Sequence, residues 1–291
     1  MTINNPLSDN SPDHEDQDLV LRARSGDREA LEDLVQRHQT WIYNIAVRML
    51  HHPQDAEDVT QEILIKVLTR LSSFEGRSSF RTWLYRIVVN HVLNMKRGQV
   101  EPASMDFASY GAAIDSTPEL ELADPKGTSA DTDVLVTEAM LSCTSGMLLC
   151  LDREQRLTFI LGAIFGVSDT VAAEVLEITP DNFRQRLARA RRDLRNFMNG
   201  KCGLVNQANP CRCAKKARGF IQAGYVDPQN LLFVRERIGE VRKAVPKVHE
   251  ALSTLDEKCA EIFRGHPFYK APDLAPMLWR LVESPDLRLK S

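Results

Sequence analysis

The sequence predicts an all-α protein: two small helical domains joined by an acidic linker, followed by a helical C-terminal extension. Three observations carry that prediction. Apolar residues recur at spacings of three and four from Asp18 to Arg97, and again from about Val134 to Met198. No stretch alternates apolar and polar residues as a half-buried strand does. Residues 98–137 break the period, with Pro102, Pro118 and Pro125 set among eight acids that face only Lys126, a local charge of −7.

Residues 1–17, rich in Asn, Asp, Ser and Pro, read as a flexible tail. The first domain, 18–97, holds one apolar stripe at Ala30, Leu31, Leu34 and Val35 and another at Trp41, Ile42, Ile45, Ala46, Met49 and Leu50. Gly26-Asp27 and His52-Pro53 punctuate these helices. A third helix is predicted from Asp55 to about Leu71. Its apolar side is Ala56, Val59, Ile63 and Val67; Asp55, Asp58 and Glu62 share another face, with Gln61 beside them. Such a face suits a basic protein partner, and acids in a first turn also favour the helix dipole.

A fourth helix, from Ser79 to about Arg97, has the opposite sign. Residues 77–97 contain Arg77, Arg81, Arg86, Lys96 and Arg97 and no acid. Phe80, Leu84, Ile87, Val88, His91 and Met95 form its apolar stripe, which places His91 in a core. Trp83, Arg86, Asn90, Asn94 and Arg97 fall together on another face. Arginine takes phosphates, asparagine reads base edges and aromatic rings stack on unpaired bases. A solvated basic helix with a half-buried Trp has the same pattern.

The second domain, 138–198, closes in a helix-turn-helix. Thr170 to Leu176 is a short amphipathic helix, Glu177-Ile178 turns the chain, and Thr179-Pro180 restarts it with Thr as N-cap and Pro at the first helical position. Phe183, Leu187, Ala190, Leu194 and Phe197 make the core stripe of the second helix; Asp181, Asn182, Gln185, Arg189 and Arg192 lie opposite. Six arginines against one aspartate between Arg184 and Arg195 make it basic, as a major-groove reading helix is. A structural helical hairpin is the other reading of this segment.

At 43% hydrophobic and 26% charged, the 291-residue chain is ordinary soluble protein. No apolar run approaches the roughly 20 residues of a membrane span, and the acidic N-terminus is unlike a signal or transit peptide. A cytoplasmic protein without a membrane partner is therefore expected. Six cysteines in a chain this long do not make a disulfide framework. There is no Gly-rich phosphate loop and no nucleophile–base constellation, so no enzyme is expected.

In order along the chain, DAEDVTQEILIKVL, FEGRSSFRTWLYRIVVNHVLNMKR and VSDTVAAEVLEITPDNFRQRLARARRDL resemble the bacterial RNA polymerase sigma factors, specifically the compact extracytoplasmic-function (ECF) group built from conserved regions two and four. The resemblance covers about residues 18–97 and 134–198. It implies that Asp55, Glu57, Asp58, Gln61 and Glu62 contact the basic coiled coil of the polymerase's largest subunit. It implies that the segment from about Phe74 to Arg97 opens and holds the minus-ten promoter element, through Arg77, Ser79, Phe80, Arg81, Trp83, Arg86, Asn90, Asn94, Lys96 and Arg97. It implies that Thr179, Asp181, Asn182, Arg184, Gln185, Arg186, Arg189 and Arg192 read the minus-thirty-five element. The acidic linker would thread the polymerase's nucleic-acid channel. Core RNA polymerase and promoter DNA are the implied partners, an anti-sigma factor is a further one, and no cofactor is required. A stand-alone helix-turn-helix regulator is the alternative. The sequence departs from the family at Glu177, where Gly is usual, at Asp181-Asn182, where a small Gly-Thr pair is usual, and at Leu151-Asp152, where Leu-Pro is usual.

Residues 199–291 lie outside that minimal architecture and carry a local charge of +6. Cys202, Cys211 and Cys213 offer three thiols on a short segment. Zinc would need a fourth ligand, for which Cys259, His249 and His266 are candidates. Structural cysteines, or a redox cluster with thiolates stabilised by Lys201, Arg212, Lys215 and Lys216, are the other readings. Further amphipathic helices are predicted at about 229–244, 247–264 and 273–284.

Overall fold

The computed structural model describes Leu7, residues 14–95, 105–120, 129–234 and 254–274, Pro276 and Leu278. Every regular element among them is helical. Lys96, Arg97, most of the 1–17 tail, linker residues 98–104 and 121–128, and most of the helices predicted at 229–244 and 273–284 lie outside the described residues.

The first half is a four-helix unit of α1 (His14–Arg24), α2 (Arg28–Leu50), α3 (Pro53–Arg70) and α4 (Phe80–Asn94). Gly26 turns the chain at φ +93 and Asp27 caps α2 by accepting from the Ala30 amide. His51 ends α2 in the left-handed region at φ +63, and Pro53 starts α3. Ser79 caps α4 by accepting from the Thr82 amide.

α1 begins inside the segment expected to be a flexible tail. The reason is Asp16, an acid with no exposure. Its carboxylate receives Arg37 Nε at 2.8 Å and Arg81 Nε at 2.5 Å, with His38 Nε2 at 3.5 Å. Burial pushes the Asp16 carboxyl up, yet His38 and Arg81 together hold it down at about 2. Local composition cannot report such a network, because its three basic members stand 21 to 65 residues away.

The second half comprises α6 (Ser129–Leu149), α7 (Arg153–Phe159) running into a π-helical turn at Ile160–Ile164, α8 (Asp169–Leu176) and α9 (Pro180–Lys201). The two halves share one apolar core, in which Leu157, Ile160, Leu161, Val167, Ala172, Ala173, Val175 and Phe183 continue the cluster built by α1 to α4. Two arginines stitch the seam through carbonyls. Arg153 Nη1 donates to Leu93 O at 3.1 Å, at the C-terminal end of α4. Arg156, 4% exposed, donates to Met49 O at 2.5 Å and to Leu148, Leu149 and Leu151 carbonyls.

The linker is not irregular throughout. Residues 107–116 form α5 (Phe107–Ser116), opened by a capping box between Asp106 and Ser109, and residues 129–137 already belong to α6. Phe107 and Tyr110 pack on Phe197 with ring centroids 5.1 and 6.0 Å apart, and Tyr110 Oη donates to Cys143 O at 2.7 Å. Gly146 permits this approach, since a Cβ there would lie 2.5 Å from Tyr110 Oη. The segment has six apolar residues in ten, but three are alanines, a signal too weak to outweigh the Pro and acid content around it.

In the extension, α10 (Cys213–Gln222) follows the cysteine segment, and α11 (Leu255–Arg264) covers the end of the predicted 247–264 helix. Glu138, 2% exposed, gathers the extension's backbone by accepting from the Leu232, Phe233 and Val234 amides at 2.7, 3.0 and 2.9 Å.

Candidate nucleic-acid and polymerase interfaces

α9 presents the outer face the sequence assigns to DNA. Thr179 caps it by accepting from the Asn182 amide at 3.2 Å, so its hydroxyl is engaged at the helix start. Phe183, Ala190, Leu194 and Met198 are buried, while Asp181, Asn182, Gln185, Arg189 and Arg192 are exposed. Arg184 is bound to both Asp169 and Asp181, so the Asp181 charge is matched within the motif. Arg186 is a correction: it is 15% exposed and pairs with Glu154 at 3.0 Å, on the side that faces α7.

Glu177 takes the left-handed position of the turn between α8 and α9. Its φ is +55, and its amide reaches the Glu174 carbonyl while the Ile178 amide reaches Ala173 O at 3.0 Å. This is the left-handed helix stop that glycine adopts most easily, made here with a glutamate.

On α4 the predicted set divides. Asn90 and Asn94 are exposed, and Arg77 stands in solvent beside Glu75. Trp83 is half-buried, tilted against Phe74 and Phe80 with ring centroids at 5.4 and 5.7 Å. Arg86 is turned toward α8, where its Nε donates to Glu174 O at 3.2 Å. Two expectations fail on burial. Phe80 is 0% exposed and Arg81 is 6% exposed, committed to the core and to Asp16. Ser79 serves the α4 N-cap. A groove of about 700 Å³ runs between α3 and α4, lined by Glu62, Lys66, Arg70, Trp83, Arg86, Asn90 and Asn94.

On α3, Ala56, Val59, Ile63 and Val67 are buried, while Asp58 and Glu62 are exposed and Asp55, Glu57 and Gln61 are half-buried. Asp55 stands 3.5 Å from His52, and Glu62 stands 3.3 Å from His91 Nε2. Burial and then the Lys66 charge push the His91 imidazole down, and Lys66 Nζ lies 2.6 Å from His91 Nδ1.

The structure bears on the three readings that the sequence leaves open for the cysteines. Among the described residues no group of three or more His, Cys, Asp or Glu side chains is placed to hold a metal ion. Burial pushes the Cys202, Cys211 and Cys213 thiols up, the last to about 12, against the thiolate stabilisation expected from their basic neighbours. Three of those neighbours, Lys216, Arg212 and Lys201, are engaged in other contacts as well. Lys216 Nζ donates to the Ile114 and Thr117 carbonyls at 3.1 and 2.5 Å, Arg212 donates to the Gln207 and Cys211 carbonyls, and Lys201 pairs with Asp115.

No described helix is long and apolar enough to cross a membrane. A family model described as sigma-70 region 2 matches residues 34–100. Over 179 residues the chain is 31% identical to the RNA polymerase sigma-H factor of Pseudomonas aeruginosa, a match covering 61% of this chain and 90% of that protein. Over 184 residues it is 30% identical to the ECF RNA polymerase sigma-E factor of Escherichia coli K12, covering 62% of this chain and 93% of that protein. The solved structure of CnrH in complex with the cytosolic domain of CnrY aligns with 64% of this chain and 98% of that one, at 25% identity and a TM-score of 0.46.

Proposed function

Because the chain belongs to the ECF family of RNA polymerase sigma factors, we propose that it binds core RNA polymerase and directs it to promoters through two surfaces of its own. The outer face of α9, with Asn182, Gln185, Arg189 and Arg192, takes the minus-thirty-five element in the major groove. The α4 side of the α3–α4 groove, with Trp83, Asn90 and Asn94, takes the minus-ten element as it unpairs. The acids Asp58 and Glu62 face a basic surface of the polymerase. The chain itself performs no bond chemistry in this role.

The carrying observation is the coexistence in one chain of a region-two match over residues 34–100 and a Thr179-capped, Pro180-started basic helix with an exposed polar face. A stand-alone helix-turn-helix regulator leaves the region-two segment and its acidic face without a task. The test is binding to a labelled promoter fragment with and without core polymerase. Specific binding only in the presence of core supports the sigma reading; equal specific binding by the chain alone overturns it.

A further inference from the structure

Residues 254–271 cross both halves of the molecule. α11 belongs to the helix-turn-helix side: Phe263 packs on Phe159 with ring centroids 5.3 Å apart, and Arg264 Nε donates to Ala163 O at 2.8 Å. Directly after α11 the chain lies across α2 as an extended strap. Arg48 Nη2 donates to Pro267 O at 3.2 Å. The Asn44 side chain clamps the Tyr269 backbone from both sides, donating to its carbonyl at 2.7 Å and accepting from its amide at 3.0 Å. Phe268 completes a three-ring cluster with Trp41 of α2 and Phe165 of the second half, its centroid 4.9 and 6.1 Å from theirs, while Trp41 and Phe165 stand 4.8 Å apart.

Asn44 is 0% exposed and Arg48 5% exposed. Buried polar groups need partners, and an amide that grips both backbone groups of one residue is suited to a peptide strand. This face of α2 is therefore built around the strap rather than casually covered by it. At the same seam Arg86 of α4 touches Glu174 of α8.

We propose that residues 254–271 are a latch that holds the α1–α4 unit, and α4 with it, against the second half, and that core polymerase engages the chain productively only once the strap leaves α2. The latch rests on the promoter reading above for its consequence. The minus-ten and minus-thirty-five elements lie about 25 base pairs apart, roughly 85 Å at about 3.4 Å per base pair. Helices in direct contact cannot each lie on its own element, so the closed form has to open. A protein whose competent form is only fractionally populated binds with an affinity reduced by that fraction.

The full-length Phe268→Ala and Asn44→Leu proteins test the latch. Small-angle scattering should show a radius of gyration several ångström above the parent, for which a compact chain of this length gives about 19 Å. Titration with core polymerase should give an apparent affinity raised by about tenfold, as the closed competitor is weakened. If Asn44→Leu fails to fold, Asn44→Asp keeps the acceptor for the Tyr269 amide and loses only the donor, while Phe268→Ala leaves α2 unaltered. Folded variants with the parent's radius and affinity overturn the latch. So does a folded variant that binds core more weakly, because the strap would then belong to the docking surface. Failure of parent and variants alike to bind core would sink the sigma reading instead, and the scattering result decides the latch without polymerase.

Discussion

Arg86 Nε donates to the backbone carbonyl of Glu174 at 3.2 Å, tying the middle of α4 to the last turn of α8. The Glu174 and Glu177 carboxylates stand 3.7 and 3.9 Å from the same guanidinium. An arginine expected on promoter phosphate is thus held by the other promoter-reading half. These pairs are partly exposed, so Arg86→Ala should change stability by less than about 1 kcal/mol. Promoter binding in the presence of core should weaken, with the salt slope lowered by about one. Binding isotherms across a salt series check this; an unchanged slope removes Arg86 from the DNA contacts.

Glu177 holds a left-handed φ of +55 at the turn of the helix-turn-helix. Glycine adopts that conformation without a Cβ penalty, so Glu177→Gly should stabilise the protein by up to about 1 kcal/mol. A rise of a few degrees in Tm by calorimetry is the expected result. An unchanged or lower Tm would mean that the Arg86 contact outweighs the backbone strain.

Asp16 is ionised, buried and shared by Arg37, Arg81 and His38. Asp16→Asn leaves Arg81 buried without its counter-charge and should cost roughly 3–5 kcal/mol, read from denaturant midpoints. The folded carboxyl titrates near 2, below its unfolded value of 3.8. Its contribution is therefore complete above about pH 4 and is lost as pH falls toward 2. The substituted protein should show a smaller loss of stability across that window; an identical acid transition in both proteins would contradict the pairing.

Asp58 is the exposed acid of α3 for which charge reversal is cleanest. Glu62 lies 3.3 Å from His91 Nε2, so a lysine there would also disturb the His91–Lys66 contact. Asp58→Lys should weaken core binding by a few kcal/mol at moderate salt while leaving the circular-dichroism spectrum unchanged. Undiminished co-purification with core would rule out this face as the docking surface.

Gln185 and Arg189 share the exposed side of α9 but differ in chemistry. Arg189→Ala should weaken binding evenly across promoter sequences, whereas Gln185→Ala should relax preference at one base position by about 1–3 kcal/mol. Selection from a randomised upstream element separates the two. Selectivity and affinity unchanged from the parent in both variants would mean that another surface reads the DNA.

The helices were legible where the chain carries its own information. The apolar periods of α2, α3 and α9, the Thr179-Pro180 start and the acidic face of α3 follow from residues a few positions apart. For the same reason Asn182, Gln185 and Arg189 could be placed on an outer face without coordinates. Arg186 and Arg81 could not be excluded in this way, because a basic residue looks alike whether it meets a phosphate or a carboxylate supplied by Glu154 or Asp16.

Helical spacing and caps are local, so the sequence alone determined the all-α class and the helix-turn-helix, and its motif strings carried the resemblance to the family. Tertiary structure decided what each polar side chain is for. It buried Asp16 from a nominal tail, ordered α5 within an acidic linker by packing it on Phe197, and set Lys216 and Arg212 to cap carbonyls beside cysteines that burial keeps protonated. It also laid residues 266–271 across Asn44 and Arg48, some 220 positions upstream. Such contacts depend on desolvation and on where distant segments end up, and neither is encoded in the spacing of neighbouring residues.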